Sequence, residues 1–129
     1  MNGVVGSGAD IVRAFCEAWG ARDLDAIAGF LADDIFYHNI PMAPVIGRAA
    51  VSAAIAPLVS SCSHIEWEIH HLAEAGAVVL TERTDRFVRG GRTMSVRVMG
   101  IFELGAGRIV RWRDYFDLME WQRQIEGES

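Results

Sequence analysis

Apolar residues in the first part of the chain recur every three to four positions, the spacing of amphipathic helices. The first predicted helix has Asp10 as its N-cap and ends at Gly20, because acidic side chains cap helix N-termini and glycine commonly follows the last turn. Its apolar face consists of Ile11, Val12, Phe15, Cys16 and Trp19. This pattern predicts a helix that buries one face.

Two further helices are predicted before residue 64. Asp23 lies near the start of a short helix whose apolar residues are Leu24, Ile27, Phe30 and Leu31. Residues 35–39 resemble a short strand that leads into a loop from Pro41 to Gly47. A third helix begins at about Arg48, and its residues spaced for burial are Val51, Ile55, Leu58 and Val59. Pro57 is expected to kink or shorten it, because proline removes one helical hydrogen bond.

From His64 onward the apolar period changes to two, the period of β-strands. Apolar and polar residues alternate here: Ile65, Trp67 and Ile69 are apolar, and Glu66, Glu68 and His70 between and after them are polar. Glycine-containing turns at Gly76, at Gly90-Gly91 and at Gly105-Ala106-Gly107 then separate three long predicted strands. These strands cover residues 77–89, 92–104 and 108–117. A short amphipathic tail with Leu118, Trp121 and Ile125 ends the pattern.

Helices followed by a meander of long antiparallel strands predict the α+β class. The N-terminal helices are expected to pack across the concave face of a curved sheet, forming a cone with an apolar pocket. The 129 residues fit one domain, residues 1–129, and a hydrophobic fraction of 51% can supply both a core and a pocket wall.

Composition argues against several classes of function. A net charge of −5 does not fit a nucleic-acid-binding surface. Cys16 and Cys62 are too few for a disulfide framework and are expected in the core. Residues 1–9 do not resemble a signal peptide, and no stretch approaches the 18 apolar residues of a membrane span. We therefore expect a cytoplasmic protein without membrane or nucleic-acid partners.

The sequence also lacks the usual cofactor motifs. His70 and His71 are adjacent rather than at metal-ligand spacing, and on a regular strand they would face opposite sides. There is no GxGxxG motif, no phosphate-binding loop and no GxSxG nucleophile motif. We expect no metal and no cofactor.

Candidate chemistry begins on the strand at residues 77–89. One face carries Val79, Thr81, Arg83, Asp85 and Phe87, and the other carries Val78, Leu80, Glu82, Thr84 and Arg86. Neither face is purely apolar, so alternation alone does not say which one points inward.

The last strand carries a second carboxylate. Its apolar face is predicted to hold Val110, Trp112, Asp114 and Phe116, and the more polar face Ile109, Arg111, Arg113 and Tyr115. Asp114 is therefore expected to be buried, and a buried carboxylate is costly unless it is paired. Arg83 is its best candidate partner.

An arginine shared by Asp85 and Asp114 would divide the proton states of the two carboxylates, because two close like charges raise one of the two pKa values. A general acid and a general base in one apolar cavity are what hydrolysis of an epoxide needs. An ordinary structural salt bridge explains the same spacing equally well. Tyr37 and Asn39 alternate on one strand and would hold a water beside a carboxylate, although a half-buried Tyr and a turn-capping Asn are also consistent.

Several segments together resemble the limonene-1,2-epoxide hydrolase family, within the wider group of folds like nuclear transport factor 2 and the SnoaL-like polyketide cyclases. They are Tyr37-His38-Asn39 followed by Pro41, Thr81-Glu82-Arg83-Thr84-Asp85, Gly100-Ile101-Phe102, and Trp112-Arg113-Asp114-Tyr115-Phe116-Asp117-Leu118. The resemblance extends from about Ile11 to Ile125.

This resemblance implies a one-step mechanism without a covalent intermediate. Asp114 would be the general base, with Tyr37 and Asn39 holding the water, Asp85 would protonate the epoxide oxygen, and Arg83 would bridge the two carboxylates. It also implies a six-stranded mixed sheet, a homodimer and an apolar pocket for a small apolar or cyclic epoxide, which yields a vicinal diol. Candidate pocket walls are Phe15, Trp19, Phe87, Val96, Val98 and Phe116.

Two alternatives use the same fold. A polyketide cyclase or a ketosteroid-isomerase-like enzyme would also place an Asp in an apolar pocket, but it would not need the Arg83–Asp85 pair. A non-catalytic binding module would have no use for five polar residues at one site, since buried charges cost stability.

Overall fold

Six strands form one mixed sheet in the computed structural model, which describes residues 7–126. The strands are β1 (Leu31–Asn39), β2 (Val45–Ile46), β3 (His64–Ala75), β4 (Val78–Arg89), β5 (Arg92–Gly105) and β6 (Arg108–Tyr115). Their order across the sheet is β2-β1-β6-β5-β4-β3. β1 and β6 run parallel, and the other neighbours run antiparallel. The predicted α+β class and the curved, mixed sheet are confirmed.

The helices are α1 (Gly8–Gly20), α2 (Leu24–Gly29), α3 (Arg48–Ser61) and α4 (Leu118–Ile125). α1 packs on β3 and β4, and α3 packs on β1 and β2. α1 buries Val12, Phe15, Cys16 and Trp19, four of the five residues of its predicted apolar face. The core therefore lies between these helices and the concave face of the sheet.

The start of α1 differs from the prediction. Ser7, not Asp10, is the N-cap: its hydroxyl accepts a hydrogen bond from the backbone of Asp10 at 3.2 Å. The Asp10 carboxylate in turn accepts from the backbone of Ser7 at 3.3 Å. This reciprocal capping box uses both residues, and so the helix begins three residues before the predicted position.

The second helix is shorter than predicted and the first strand longer. Asp23 caps α2, accepting from the backbone of Ala26 at 3.1 Å, and the helix ends at Gly29. Leu31 belongs to β1, where its register partner is Ile109 on β6. Within the predicted loop, Val45 and Ile46 form β2 against β1. These strand pairings override the local helical pattern.

Pro57 does not shorten α3, which continues to Ser61. Pro57 lies on the exposed side of the helix, and Ala53, whose carbonyl loses its helical donor, is exposed too. Water can satisfy that carbonyl, so the cost of proline is small at this position. The predicted burial of Val51, Ile55 and Val59 is confirmed, while Leu58 is half-buried.

The structure determines which sheet faces are buried. On β4 the face of Val79, Thr81, Arg83, Asp85 and Phe87 is buried. On β6 the predicted alternation fails at the start: Ile109 is fully buried and Val110 is only half-buried. An irregularity in the pairing between Glu103 and Leu104 shifts the strand there, as a β-bulge does. Beyond it, Trp112 and Asp114 point inward as predicted.

Among residues 7–126, no helix combines the length and the apolar character needed to cross a bilayer. The predicted lack of a signal peptide concerns residues 1–9, most of which lie outside the described residues.

Candidate active site

A buried guanidinium joins two carboxylates at the centre of the concave face. Arg83 donates from Nε to Asp85 Oδ1 and from Nη2 to Asp85 Oδ2, both at 2.9 Å. The same Nη2 donates to Asp114 Oδ2 at 3.1 Å. The three residues are 1%, 3% and 4% exposed. The structure therefore brings together the three residues that the strand spacing singled out, and it places them away from bulk solvent.

The strands hold this cluster from two sides. Arg83 and Asp85 are two residues apart on β4 and so share its inward face. Asp114 lies on β6, separated from β4 by β5. The guanidinium also lies over the Trp67 ring, with Cζ 4.4 Å from the ring centroid. Its plane is fixed by this stacking and by the bidentate contact with Asp85.

Burial and the neighbouring charges together set the protonation of Asp85 and Arg83. Desolvation raises the pKa of Asp85 to about 6, although Arg83 opposes the shift. Desolvation on its own would lower the pKa of Arg83, but the charges of Asp114 and Asp85 raise it well above its ordinary value. Arg83 therefore stays a cation, while Asp85 can exchange a proton near neutral pH.

The two oxygens of Asp114 have different surroundings. Oδ2 accepts the hydrogen bond from Arg83, whereas Oδ1 is buried and has no hydrogen-bond partner among the described residues. An unpaired buried acceptor is costly, so its presence in a folded protein needs an explanation. Asp114 thus has one oxygen bound by the cation and one open to a further hydrogen-bond donor.

The strand β1 brings Tyr37 and Asn39 beside this carboxylate. Asn39 is the register partner of Asp114, and Tyr37 is that of Trp112. The Tyr37 ring stacks on Trp112 with centroids 4.0 Å apart. Burial raises the pKa of the Tyr37 phenol above its ordinary value, so its hydroxyl stays protonated. His38 points elsewhere, with its Nε2 2.8 Å from the carbonyl oxygen of Met42.

An apolar cavity of about 340 Å³ opens onto these polar groups. Tyr37, Asn39, Asp85 and Asp114 all line it. Of the walls expected from the sequence, five line the cavity: Trp19, Phe87, Val96, Val98 and Phe116. Its aromatic and aliphatic lining leaves the four polar residues as the groups that can hold a reacting atom.

Phe15 is placed differently from the expectation, because it does not line this cavity. Its side chain is fully buried, and its ring makes edge contacts with Phe30, Trp67, Phe102 and Trp112 at centroid distances of 5.0 to 6.1 Å. On an amphipathic helix the whole apolar stripe is buried, and spacing cannot separate core positions from cavity positions.

Other cavity walls were not identified from the sequence. They are Ala43, Val45, Ala54, Ile55, Leu58, Trp67 and Trp121. Trp67 had a detectable pattern, since it alternates with Glu66 and Glu68 on β3. Trp121 reaches the cavity from α4 and packs against Phe87 at 5.4 Å between ring centroids, a contact that no local pattern indicates.

The adjacent histidines do not line this cavity. His70 contacts Thr84 and His71 contacts Glu82, each at 2.8 Å. Thr84 and Glu82 share the outer face of β4, so the expectation that the two histidines face opposite sides is wrong. A bulge between Ile69 and His71 turns both outward. Among residues 7–126, no group of three or more His, Cys, Asp or Glu side chains is arranged to hold a metal ion.

Comparison with known proteins identifies the family of this chain. Residues 6–126 match the family model of the limonene-1,2-epoxide hydrolase catalytic domain. The chain belongs to the limonene-1,2-epoxide hydrolase family. It is 35% identical over 109 residues to epoxide hydrolase EphG of Mycobacterium tuberculosis, covering 84% of this chain and 72% of EphG. This limonene-1,2-epoxide hydrolase family member is therefore an epoxide hydrolase.

Solved structures place this family member in a wider fold group. The structure of an M. tuberculosis epoxide hydrolase resembling limonene-1,2-epoxide hydrolase matches with a TM-score of 0.81 and 33% identity, over 90% of this chain and 86% of that one. A protein described as a SnoaL-like polyketide cyclase, from Shewanella denitrificans, has the same TM-score at 11% identity, over 94% and 98% of the two chains. The second likeness shows the fold alone.

Proposed function

We propose that this epoxide hydrolase opens small apolar or cyclic epoxides to vicinal diols in one step, by general acid and base catalysis. The observation that carries the proposal is the difference between the two carboxylate oxygens of Asp114. Oδ2 is bound by Arg83, whereas Oδ1 is buried and has no hydrogen-bond partner among the described residues. A carboxylate held in this way is positioned by the cation and keeps one oxygen open to a further hydrogen-bond donor. Tyr37, Asn39, Asp85 and Arg83 complete the set of proposed catalytic residues.

Asp114 is the general base in this proposal. A water held by the Tyr37 hydroxyl, the Asn39 amide and Asp114 attacks one epoxide carbon while Asp114 takes one of its protons. The support is positional: Asn39 lies opposite Asp114 in the parallel β1–β6 pair, and Tyr37, Asn39 and Asp114 line one cavity. A single carboxylate acceptor with two flanking polar groups orients the water lone pair toward carbon.

Asp85 is the general acid. As the C–O bond breaks, the electron pair goes to the epoxide oxygen and the Asp85 proton moves to it, giving the second hydroxyl of the diol. Its pKa of about 6 keeps a proton available near neutral pH, where acid catalysis is most efficient. Each turnover moves one proton from Asp85 to Asp114, and its return resets the site. Arg83 keeps both carboxylates in place throughout the reaction.

The cavity supports an apolar substrate class. Trp19, Trp67, Phe87, Phe116 and Trp121 contribute aromatic faces. The polar residues lie together, because Arg83 bonds both Asp85 and Asp114 and Asn39 is the register partner of Asp114. An apolar epoxide would place its ring against the polar side and its hydrocarbon part against the aromatic walls. The cyclase and isomerase alternatives leave the bidentate Arg83–Asp85 pair without a use, and a binding module leaves the whole cluster without one.

The proposal also covers the domain organisation, the oligomeric state, the cellular location and the cofactor requirement of the enzyme. We infer one domain over residues 1–129, supported by a family match over residues 6–126. A homodimer is supported by Met99 and Tyr115, exposed register partners on the outer face of the sheet, and sedimentation of the purified protein tests it. The free, buried Cys16 and Cys62 fit a cytoplasmic location. No cofactor is needed, because acid, base and water suffice.

Hydrolysis in ¹⁸O-labelled water tests the reaction. With limonene oxide or cyclohexene oxide, we expect a diol that carries one label from solvent. A metal chelator should leave the rate unchanged. If a broad panel of epoxides yields no diol, the proposed function is wrong, and chelator-sensitive turnover would contradict cofactor independence.

A further inference from the structure

The guanidinium of Arg83 has to cross one strand to reach Asp114. It starts on β4, its target is on β6, and β5 lies between them. At the crossing point β5 carries Gly100, whose register partners are Thr81 on β4 and Asp114 on β6. Gly100 is buried. A glycine inside a strand weakens it, and it often marks a place where another group approaches the backbone closely.

The space above Gly100 is filled by the catalytic groups themselves. A Cβ added at Gly100 would lie 2.7 Å from Asp114 Oδ1 and 3.1 Å from Thr81 Oγ1, and it would overlap Arg83 Nη1. All three neighbours are held in a buried network and cannot move freely into solvent. Any other residue at position 100 would therefore push the guanidinium and the Asp114 carboxylate apart.

Thr81 holds the remaining side of the guanidinium. Arg83 Nη1 donates to Thr81 Oγ1 at 3.1 Å, and the Thr81 hydroxyl donates to the Gly100 carbonyl oxygen at 3.5 Å. The hydroxyl proton is thus directed at Gly100, which leaves an oxygen lone pair for Arg83. Thr81 is 1% exposed, so no water competes for this contact.

We propose that Gly100 and Thr81 are positioning residues of the hydrolase: Gly100 provides the passage across β5, and Thr81 fixes the guanidinium within it. Neither residue touches the substrate, since neither lines the cavity. They act through Arg83, which holds Asp114 and Asp85 at the separation that the reaction needs. This inference rests on the proposed acid and base roles, and it adds two residues to the five that the sequence indicated.

Gly100→Ala tests whether the guanidinium needs the space that glycine leaves above β5. We expect kcat to fall about 10²-fold with KM changed less than about threefold, because displacement of catalytic groups by about an ångström has effects of this size. Gly105→Ala on the same strand is the matched control. Its added Cβ would lie 3.3 Å from a Val110 methyl group, with no residue of the Arg83 cluster within 4 Å, so we expect activity like that of the wild type.

Thr81→Val and Thr81→Ser test the hydrogen bond between Thr81 and Arg83. They also test the inference by themselves if Gly100→Ala does not fold. Valine keeps the shape of threonine but removes the acceptor, so we expect kcat about 10-fold lower with KM unchanged. Serine keeps the hydroxyl, and we expect kcat within about threefold of the wild type. Thr84→Val is the control on the outer face of β4 and should leave kcat unchanged.

The experiment uses the purified full chain with one epoxide substrate, and it records kcat, KM and the melting temperature of each variant. A kcat loss in Thr81→Val that Thr81→Ser restores supports the inference. A Thr81→Val enzyme with wild-type kcat, or a Thr81→Ser enzyme as slow as Thr81→Val, would overturn it. The proposed function fails separately, if wild-type protein forms no diol or if Asp114→Asn remains fully active.

Discussion

Asn39 lies directly opposite Asp114, on the two neighbouring strands of the sheet that run parallel. The pairing joins an amide near the end of β1 to a buried carboxylate near the end of β6. Tyr37, two residues earlier on β1, stacks on Trp112, two residues before Asp114. One strand pairing therefore brings the two groups proposed to hold water to the carboxylate proposed to activate it.

Asp114→Asn should lower kcat by about 10² or more, because an amide cannot take a proton from water. The measurement is initial-rate diol formation with a saturating epoxide. Asp34→Asn, at an exposed position of β1, is the matched control and should not change the rate. Full activity in Asp114→Asn would remove Asp114 from the role of base.

The rate should depend on pH through Asp85. Burial raises the pKa of Asp85 to about 6, so the acid form persists to higher pH than for an exposed aspartate and is lost as the pH rises through that value. We expect kcat/KM to fall above pH about 6, approaching a tenfold loss per pH unit. Asp85→Asn should lower kcat by about 10² or more. A rate that increases steadily from pH 6 to pH 8 would show that Asp85 is not the acid.

Replacing Arg83 should affect stability as well as activity. Arg83→Met keeps much of the length and apolar packing but leaves two buried carboxylates without their cation. We expect the free energy of unfolding to fall by about 3–5 kcal/mol, measured by urea denaturation at neutral pH. Arg86→Met, on the outer face of the same strand, removes only exposed ion pairs with Glu66 and Glu68 and should change stability little. Equal stability of Arg83→Met and wild type would mean that the cluster is neutralised without the guanidinium.

Tyr37→Phe separates the hydroxyl from the ring. The stacking on Trp112 remains, so we expect the melting temperature to change little, while kcat falls about 10-fold through loss of one hydrogen bond to the reacting water. Tyr115→Phe, at an exposed tyrosine of β6, is the control. If Tyr37→Phe matches the wild type in kcat, the phenol does not hold the water.

Local pattern predicted most of the elements and the polar residues of the site. Alternation placed Arg83 and Asp85 on one face of β4, and Trp112 and Asp114 on one face of β6, because successive side chains of a strand point to opposite sides. The errors occur where non-local pairing overrides that rule. The bulge near Glu103 turns Ile109 inward, and the pairing of Leu31 with Ile109 converts a predicted helical residue into the start of a strand.

The sequence by itself determined which side chains share a strand face and which of them can hold a proton or a charge. Only the tertiary structure decided which face is buried, which strands are neighbours, and that Gly100 lies beneath the path from Arg83 to Asp114. It also placed Phe15 in the core and Trp121 at the cavity wall. The physical reason is the sequence separation of the interacting residues. Alternation and capping depend on residues a few positions apart, whereas burial, strand order and the unpartnered oxygen of Asp114 depend on contacts between distant parts of the chain.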